Sequence, residues 1–377
     1  LPADLCEKLK SGAFRHVYVI GQGTAAVAGQ SLAQALSSLA IDTPLRVDAL
    51  PATELSGFGL TTDMSDTLVV AISQSGTTTD TNRTVDLVRS RGAHVIAIVN
   101  RRNSDLTDKA DGVLYTSDGR DVEMSVASTK AFYSQVAAGF VLAVALADAV
   151  GAPVGADRQQ LLESLRSLPE AMDATLATRA EIGRAARELA PSRRYWAIVG
   201  NGPNGVAARE VRIKLSELCY KSIACDTTED KKHIDLSAEP LILVCAAGLS
   251  GSNADDVAKE VAIYRAHKAA PVVVATEGEG RFSAALHALT VPSTHPSLAF
   301  VLSAMVGHLF GYEAALAIDD QARPLREARA AIEEAVTADT MPSADDLVTM
   351  LRPVFEPLAA RASRSGRAWS SMARAAS

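Results

Sequence analysis

The feature that most restricts how this chain can fold is an alternation of short apolar runs and helical patterns that is laid out twice. Tyr18-Val19-Ile20 leads into Gly21-Gln22-Gly23, and Trp196-Ala197-Ile198-Val199 leads into Gly200-Asn201-Gly202. The run at 67–72 has its counterpart at 241–245, and the run at 95–99 at 272–275, each pair offset by about 175 residues. Short runs that are apolar throughout and separated by helical patterns read as parallel strands covered on both faces. Repetition of the whole series predicts a duplicated α/β fold, two doubly wound, flavodoxin-like units in tandem. The length of 377 residues agrees, being too long for one typical core. The expected division is a first α/β domain over 1–150, a helical connector over 151–192, a second α/β domain over 193–330, and C-terminal helices with a tail over 331–377. Pro169 is expected to break the connector. Helices are expected from Pro296 to Leu316, from Pro324 to Val336, and from Ala344 to Ala360.

Within the first unit one loop stands out. Ser73-Gln74-Ser75-Gly76-Thr77-Thr78-Thr79-Asp80-Thr81 follows an apolar run and precedes a helical pattern, and it holds six hydroxyl residues. A helix leaving such a loop directs free backbone N–H groups and the positive end of its dipole at whatever sits there, and hydroxyls add short donors. The loop lacks the lysine and spacing of a nucleoside-triphosphate site, so a phosphate monoester on a small molecule is the natural guest. An ordinary polar turn that binds nothing has the same composition. The matching loop of the second unit, Gly248-Leu249-Ser250-Gly251-Ser252, has fewer hydroxyls. The first unit is therefore expected to bind and the second to act as scaffold. Gly21-Gln22-Gly23 permits close approach to a ligand, but Ala26 stands where a dinucleotide fingerprint has its third glycine.

Composition narrows the classes. A net charge of −7 with no basic cluster argues against nucleic acid as partner. The most apolar stretch, Phe132 to Val150, is interrupted by Ser134, Gln135 and Asp148 and reads as a buried helix rather than a membrane span. Cys6, Cys219, Cys225 and Cys245 show neither Cys-x-x-Cys pairing nor a neighbouring histidine at metal spacing. They read as buried thiols of a cytoplasmic protein, with no metal or other cofactor expected.

Two tandem α/β units with Ser73-Gln74-Ser75-Gly76-Thr77-Thr78 in the first, and Val126-Ala127-Ser128-Thr129-Lys130-Ala131-Phe132 after it, resemble the sugar isomerase (SIS) family. The likeness extends to the isomerase half of the glucosamine-6-phosphate synthases, the glutamine:fructose-6-phosphate aminotransferases. It covers roughly Val17 to Arg329 and implies two SIS domains that bind a sugar phosphate. By that resemblance Ser73, Gln74, Ser75 and Thr78 hold the phosphate, Thr24 contacts the sugar or its phosphate, and Val126 and Ser128 line the sugar. Glu210-Val211-Arg212-Ile213-Lys214-Leu215-Ser216-Glu217 resembles the family's catalytic helix. Glu217 would move a proton between C1 and C2, with Lys214 beside it. His233 falls on the family's ring-opening histidine, which implies a homodimer, since that group comes from the neighbouring subunit.

The residue types suit the chemistry. Aldose–ketose exchange passes through an enediol, so one carboxylate can take a proton from one carbon and return it to the next. Spacing alone leaves other readings open. Glu210, Lys214 and Glu217 also form the row expected of a surface ion-pair ladder, and His233 lies in a charged segment. Three departures from the family stand out. Ala25 replaces a serine, and Asp235 stands where Gly-Pro follows the histidine. Glu327 occupies the place of the lysine that forms an imine with the ketose, and a carboxylate cannot do so. The glutaminase domain that supplies ammonia is absent from the sequence and is expected to be missing at the N-terminal side. The expectation is thus an enzyme that interconverts aldose and ketose forms of a hexose 6-phosphate. An amino-sugar-phosphate deaminase or deglycase and a non-catalytic sugar-phosphate sensor are the alternatives.

Overall fold

The structure is a computed structural model and describes residues 1–118, 128–153, 155–233, 236–337 and 343–364. The first sheet is built from β1 (His16–Gly21), β2 (Arg46–Pro51), β3 (Thr67–Ser73), β4 (His94–Val99) and β5 (Gly112–Tyr115) in the order β2-β1-β3-β4-β5. The second is built from β6 (Trp196–Gly200), β7 (Ile223–Asp226), β8 (Leu241–Cys245), β9 (Ala270–Thr276) and β10 (His287–Val291) in the order β7-β6-β8-β9-β10. Every pairing is parallel. The strand orders are the same when numbered from each sheet's first strand, so the duplication seen in the sequence is also one of topology. β3 and β8 are buried at every position, as central strands covered by helices on both faces must be.

The helix after the first strand of each sheet packs on a long partner of its own domain: Thr24–Leu39 on Lys130–Ala149, and Asn204–Cys219 on Ala299–Thr337. In the second pair the spacing is set by Gly307 and Gly311. A Cβ at Gly307 would lie 2.2 Å from a methyl of Val211, and one at Gly311 2.5 Å from Leu215. These close contacts seat the helix carrying Glu210, Lys214 and Glu217. Lys130–Ala149 and Ala299–Thr337 are long and apolar enough to cross a membrane, yet each presents a largely buried face to the core.

One expectation is corrected. Pro324 does not separate two helices; Ala299–Thr337 runs through it for 39 residues. Proline removes one helical N–H and crowds the preceding turn. Here that turn is bridged by Arg323 to Asp319 (3.1 Å) and Asp320 (2.6 Å), and by Arg326 to Asp319. The connector is helical, in three segments, Ala156–Arg166, Leu168–Ala177 and Arg179–Leu189, parted at Ser167 and Thr178, and Pro169 lies in the first turn of the second. Proline is tolerated there because that N–H has no helical partner. All four cysteines are free; Cys219 and Cys245 are buried, Cys6 and Cys225 partly so.

Candidate functional site

The strand order of the first sheet reverses between β1 and β3, and in open parallel sheets ligands bind beyond the carboxyl ends of the strands at such a point. A cavity of about 260 Å³ opens there. Its floor is Gln22, Gly23 and Thr24 after β1 and Ser73, Gln74, Ser75 and Thr78 after β3. Ser128 and Gln135 close one side, and Ile213 and Glu217 of the second domain close another.

The hydroxyl loop is held by its own groups. Ser73 Oγ accepts the Gly76 N–H at 3.0 Å and lies 3.2 Å from Thr78 Oγ1. Ser75 Oγ accepts the Thr77 N–H at 3.2 Å and the Thr77 hydroxyl at 3.1 Å. The Gly76 carbonyl accepts from the Leu106 N–H at 3.1 Å and from Asn82 Nδ2 at 3.0 Å. Gly76 has φ +67°, and a Cβ on it would fall 2.0 Å from Ser104 Oγ, so no other residue fits. The helix Thr79–Arg89 starts at the edge of the cavity, and the N–H groups of its first turn have no partner within the helix. No lysine or arginine is among the described residues lining the cavity. An anion placed here would meet neutral donors and the positive end of the helix dipole.

The charges enter from the second domain. Lys214 Nζ donates to Thr24 Oγ1 at 2.9 Å and to Glu217 Oε2 at 3.2 Å, and it lies 3.8 Å from Glu210 Oε1. Glu210 and Lys214 are 0% and 1% exposed, so the row is not a solvated surface ladder; only Glu217, 33% exposed, reaches the opening. Behind it His308 Nε2 lies 3.4 Å from Glu210 Oε1, and His308 Nδ1 is 2.7 Å from the Tyr133 hydroxyl. Burial and the neighbouring Glu210 charge push the Tyr133 phenol well above its ordinary pKa, so it stays protonated.

Residues 14–145 match the SIS domain family. This chain carries an SIS domain. The glutamine–fructose-6-phosphate aminotransferase [isomerizing] of Thermus thermophilus is 32% identical over 315 residues, 82% of this chain and 51% of that protein. The chain spans about half the length of the curated relatives it matches most strongly. Among solved structures, the C-terminal domain of a glucosamine-fructose-6-phosphate aminotransferase from Francisella tularensis superposes with a TM-score of 0.75 at 21% identity. That match covers 84% of this chain and 87% of the other. The tagatose-6-phosphate ketose/aldose isomerase of Escherichia coli superposes with a TM-score of 0.64 at 19% identity over 83% and 86%. These two share the fold: two parallel five-stranded sheets in tandem SIS arrangement with a helical C-terminus.

In the SIS chain, Ser73, Gln74, Ser75, Thr78, Thr24, Ser128 and Glu217 all line the one cavity, and Lys214 stands directly behind Thr24 and Glu217. Val126 lies outside the described residues. His233 is not brought to the cavity wall: it follows the short helix Thr228–Lys232, is 68% exposed and contacts Glu229 at 3.4 Å. Glu327 is exposed on the long helix. Sequence reasoning missed Gln135 as a wall residue. It is 2% exposed, and its Oε1 has no hydrogen-bond partner among the described residues. Its signal was an amide interrupting an otherwise apolar helix. It also missed Tyr133 and His308, which meet only in the fold. Among the described residues no cluster of three or more histidine, cysteine, aspartate or glutamate side chains could hold a metal ion.

Proposed function

We propose that this chain binds a hexose 6-phosphate in the cavity at the end of β1 and β3 and interconverts its aldose and ketose forms. The observation that carries the reading is Glu217, which stands in the cavity wall opposite the hydroxyl loop with the Lys214 ammonium 3.2 Å away. Ser73, Gln74, Ser75 and Thr78 take the phosphate, Thr24, Val126 and Ser128 the sugar. Glu217 then removes the proton from C1 or C2 and returns it to the adjacent carbon, and Lys214 steadies the negative charge on the enediolate oxygen. The domains divide the work, 1–150 supplying the cradle and 193–330 the catalytic helix. The names of the relatives and neighbours, aminotransferase [isomerizing] and ketose/aldose isomerase, support the same substrate class. His233 opens the sugar ring in this reading, from the neighbouring subunit of a homodimer, and its exposed position away from its own chain's cavity agrees with that.

The test is incubation with fructose 6-phosphate and, separately, glucosamine 6-phosphate in deuterated water. Deuterium is expected to enter at C1 or C2, and Glu217→Gln is expected to lower the rate roughly 100- to 10,000-fold. Ammonia release from glucosamine 6-phosphate would instead make the chain a deaminase or deglycase. One observation favours a second reading, a non-catalytic sensor: Glu327 offers no amine for an imine, and no lysine is among the described residues lining the cavity. Binding of either sugar without exchange would establish that reading. A strictly monomeric active species in light scattering would rule out the role given to His233.

A further inference from the structure

Five polar side chains form a continuous path through the domain interface behind the cavity. It begins in the first domain at Tyr133, on the helix Lys130–Ala149, and passes to His308 on Ala299–Thr337. From there it reaches Glu210 and Lys214 on Asn204–Cys219 and returns to the first domain at Thr24. Two members face one another unsatisfied. Neither oxygen of the fully buried Glu210 has a hydrogen-bond partner among the described residues, and neither has His308 Nε2, which lies 3.4 Å from it. Burying a carboxylate without donors is costly, so such a pair of orphans calls for a proton between them.

The ring chemistry says which atom carries it. A proton on Nδ1 alone would aim the Nε2 lone pair at a carboxylate, a repulsive contact. A proton on Nε2 aims a donor at Glu210 and leaves Nδ1 to accept the Tyr133 O–H at 2.7 Å. The ring has little freedom to turn away. Its centroid is 5.5 Å from that of Tyr133 and 6.2 Å from that of Phe132, edge to face with both.

We propose that His308, with its tautomer fixed by Tyr133, is a positioning residue that holds Glu210 by an Nε2–H donor and thereby sets Lys214 between Glu210 and Glu217. This rests on the isomerase reading above and deepens it. Without the donor, Glu210 leans on Lys214 alone and draws the ammonium away from Thr24 and Glu217. A shift of that kind moves the proton-transferring carboxylate without touching the phosphate loop.

The experiment uses the full chain labelled with ¹⁵N-histidine, and three variants. Ring-nitrogen shifts are expected to show a proton on His308 Nε2, the signal being assigned by its loss in His308→Gln. In deuterium exchange with fructose 6-phosphate, His308→Leu is expected to lower kcat by about 10- to 100-fold while KM stays within about threefold. His308→Gln, which keeps an N–H at similar reach, is expected to recover most of that loss. Tyr133→Phe, which removes one hydroxyl and little volume, is expected to lower kcat by less and to weaken the tautomer preference. A bare Nε2 in the spectrum overturns the proposal, and so does a His308→Leu variant with wild-type kcat or a folded His308→Gln no better than His308→Leu. If the wild type exchanges no deuterium at all, the isomerase reading fails by itself, and the ring spectrum still decides the contact with Glu210.

Discussion

Replacing Lys214 by methionine separates the two things this residue does. The side chain is 1% exposed, and its ammonium lies 3.8 Å from a carboxylate that is 0% exposed. At an effective dielectric constant of about 20, two unit charges at that separation attract by about 4 kcal/mol. Removing one partner of a buried pair typically costs about 3–5 kcal/mol, because the other is left charged and unsolvated. Glu217 adds little to that cost, being 33% exposed and able to recruit water. Lys214→Met keeps most of the volume, so the expected destabilisation is about 3–5 kcal/mol, nearly all of it from stranding Glu210. The control follows directly. Lys214→Met combined with Glu210→Met leaves no stranded charge and should recover most of the lost stability while sugar-phosphate exchange stays abolished. The assay is urea unfolding at pH 7 followed by the fluorescence of Trp196, buried in β6, in a chain where Trp369→Phe removes the other tryptophan. A single variant within about 1 kcal/mol of wild type would refute the reasoning. So would a double variant no more stable than the single.

Two further outcomes test the cradle and its support. Gly76→Ala must place a Cβ 2.0 Å from Ser104 Oγ at a φ of +67°. It should weaken fructose 6-phosphate binding in calorimetry by at least about tenfold and cost about 1–3 kcal/mol, whereas Gly57→Ala, with nothing within 4 Å, should do neither. Asp111 is partly buried, which works to raise its pKa, but the Val95 N–H at 2.7 Å and Arg89 at 2.9 Å outweigh that and hold its carboxyl below the usual carboxylate range. Its contribution is therefore present above the unfolded value of about 3.9 and is lost as pH falls through the lower folded value. Asp111→Asn should cost about 1 kcal/mol at pH 7, allowing for solvent screening, and progressively less below about pH 4 in the same unfolding assay.

What could be read from the sequence was what local physics fixes. A run apolar at every position, as at Thr67–Ile72, has few homes other than a strand covered on both faces, and its repetition forced two sheets of the same order. The hydroxyl loop could be read for the same reason, since a helix start and its donors lie within nine residues. The rest depended on contacts that no spacing reveals. Lys214 meets Thr24 from 190 residues away, and His308 meets Tyr133 from 175. Glu210 and Lys214 have the spacing of a surface ladder. They are buried because Gly307 and Gly311 let Ala299–Thr337 settle on their helix. Pro324 misled in the opposite sense, since a strong local breaker was overridden within a long helix stitched by Asp319, Asp320, Arg323 and Arg326.

The duplication also explains why, among the described residues, such a cavity is built in the first copy and not in the second. In each copy the helix after the first strand faces the other copy, as Thr24–Lys214 and Gln30–Arg209 at 3.1 Å record. A reciprocal site would need an open loop after β8 and ionisable groups on Thr24–Leu39. Neither condition is met. The loop after β8 is tied down within its own domain: Asn204 Nδ2 donates to the Ala247 carbonyl, the Gly248 N–H donates to Thr276 Oγ1, and a Cβ on Gly248 would lie 2.5 Å from Ala299. The helix Thr24–Leu39 carries no charged residue at all. Each copy has thus kept the half the other lacks, a cradle of neutral donors in the first and the charged helix in the second. Restoring hydroxyls to the second loop would not create a second site, because no carboxylate faces it from Thr24–Leu39. Binding and proton transfer in this fold should accordingly be separable by mutation, domain by domain.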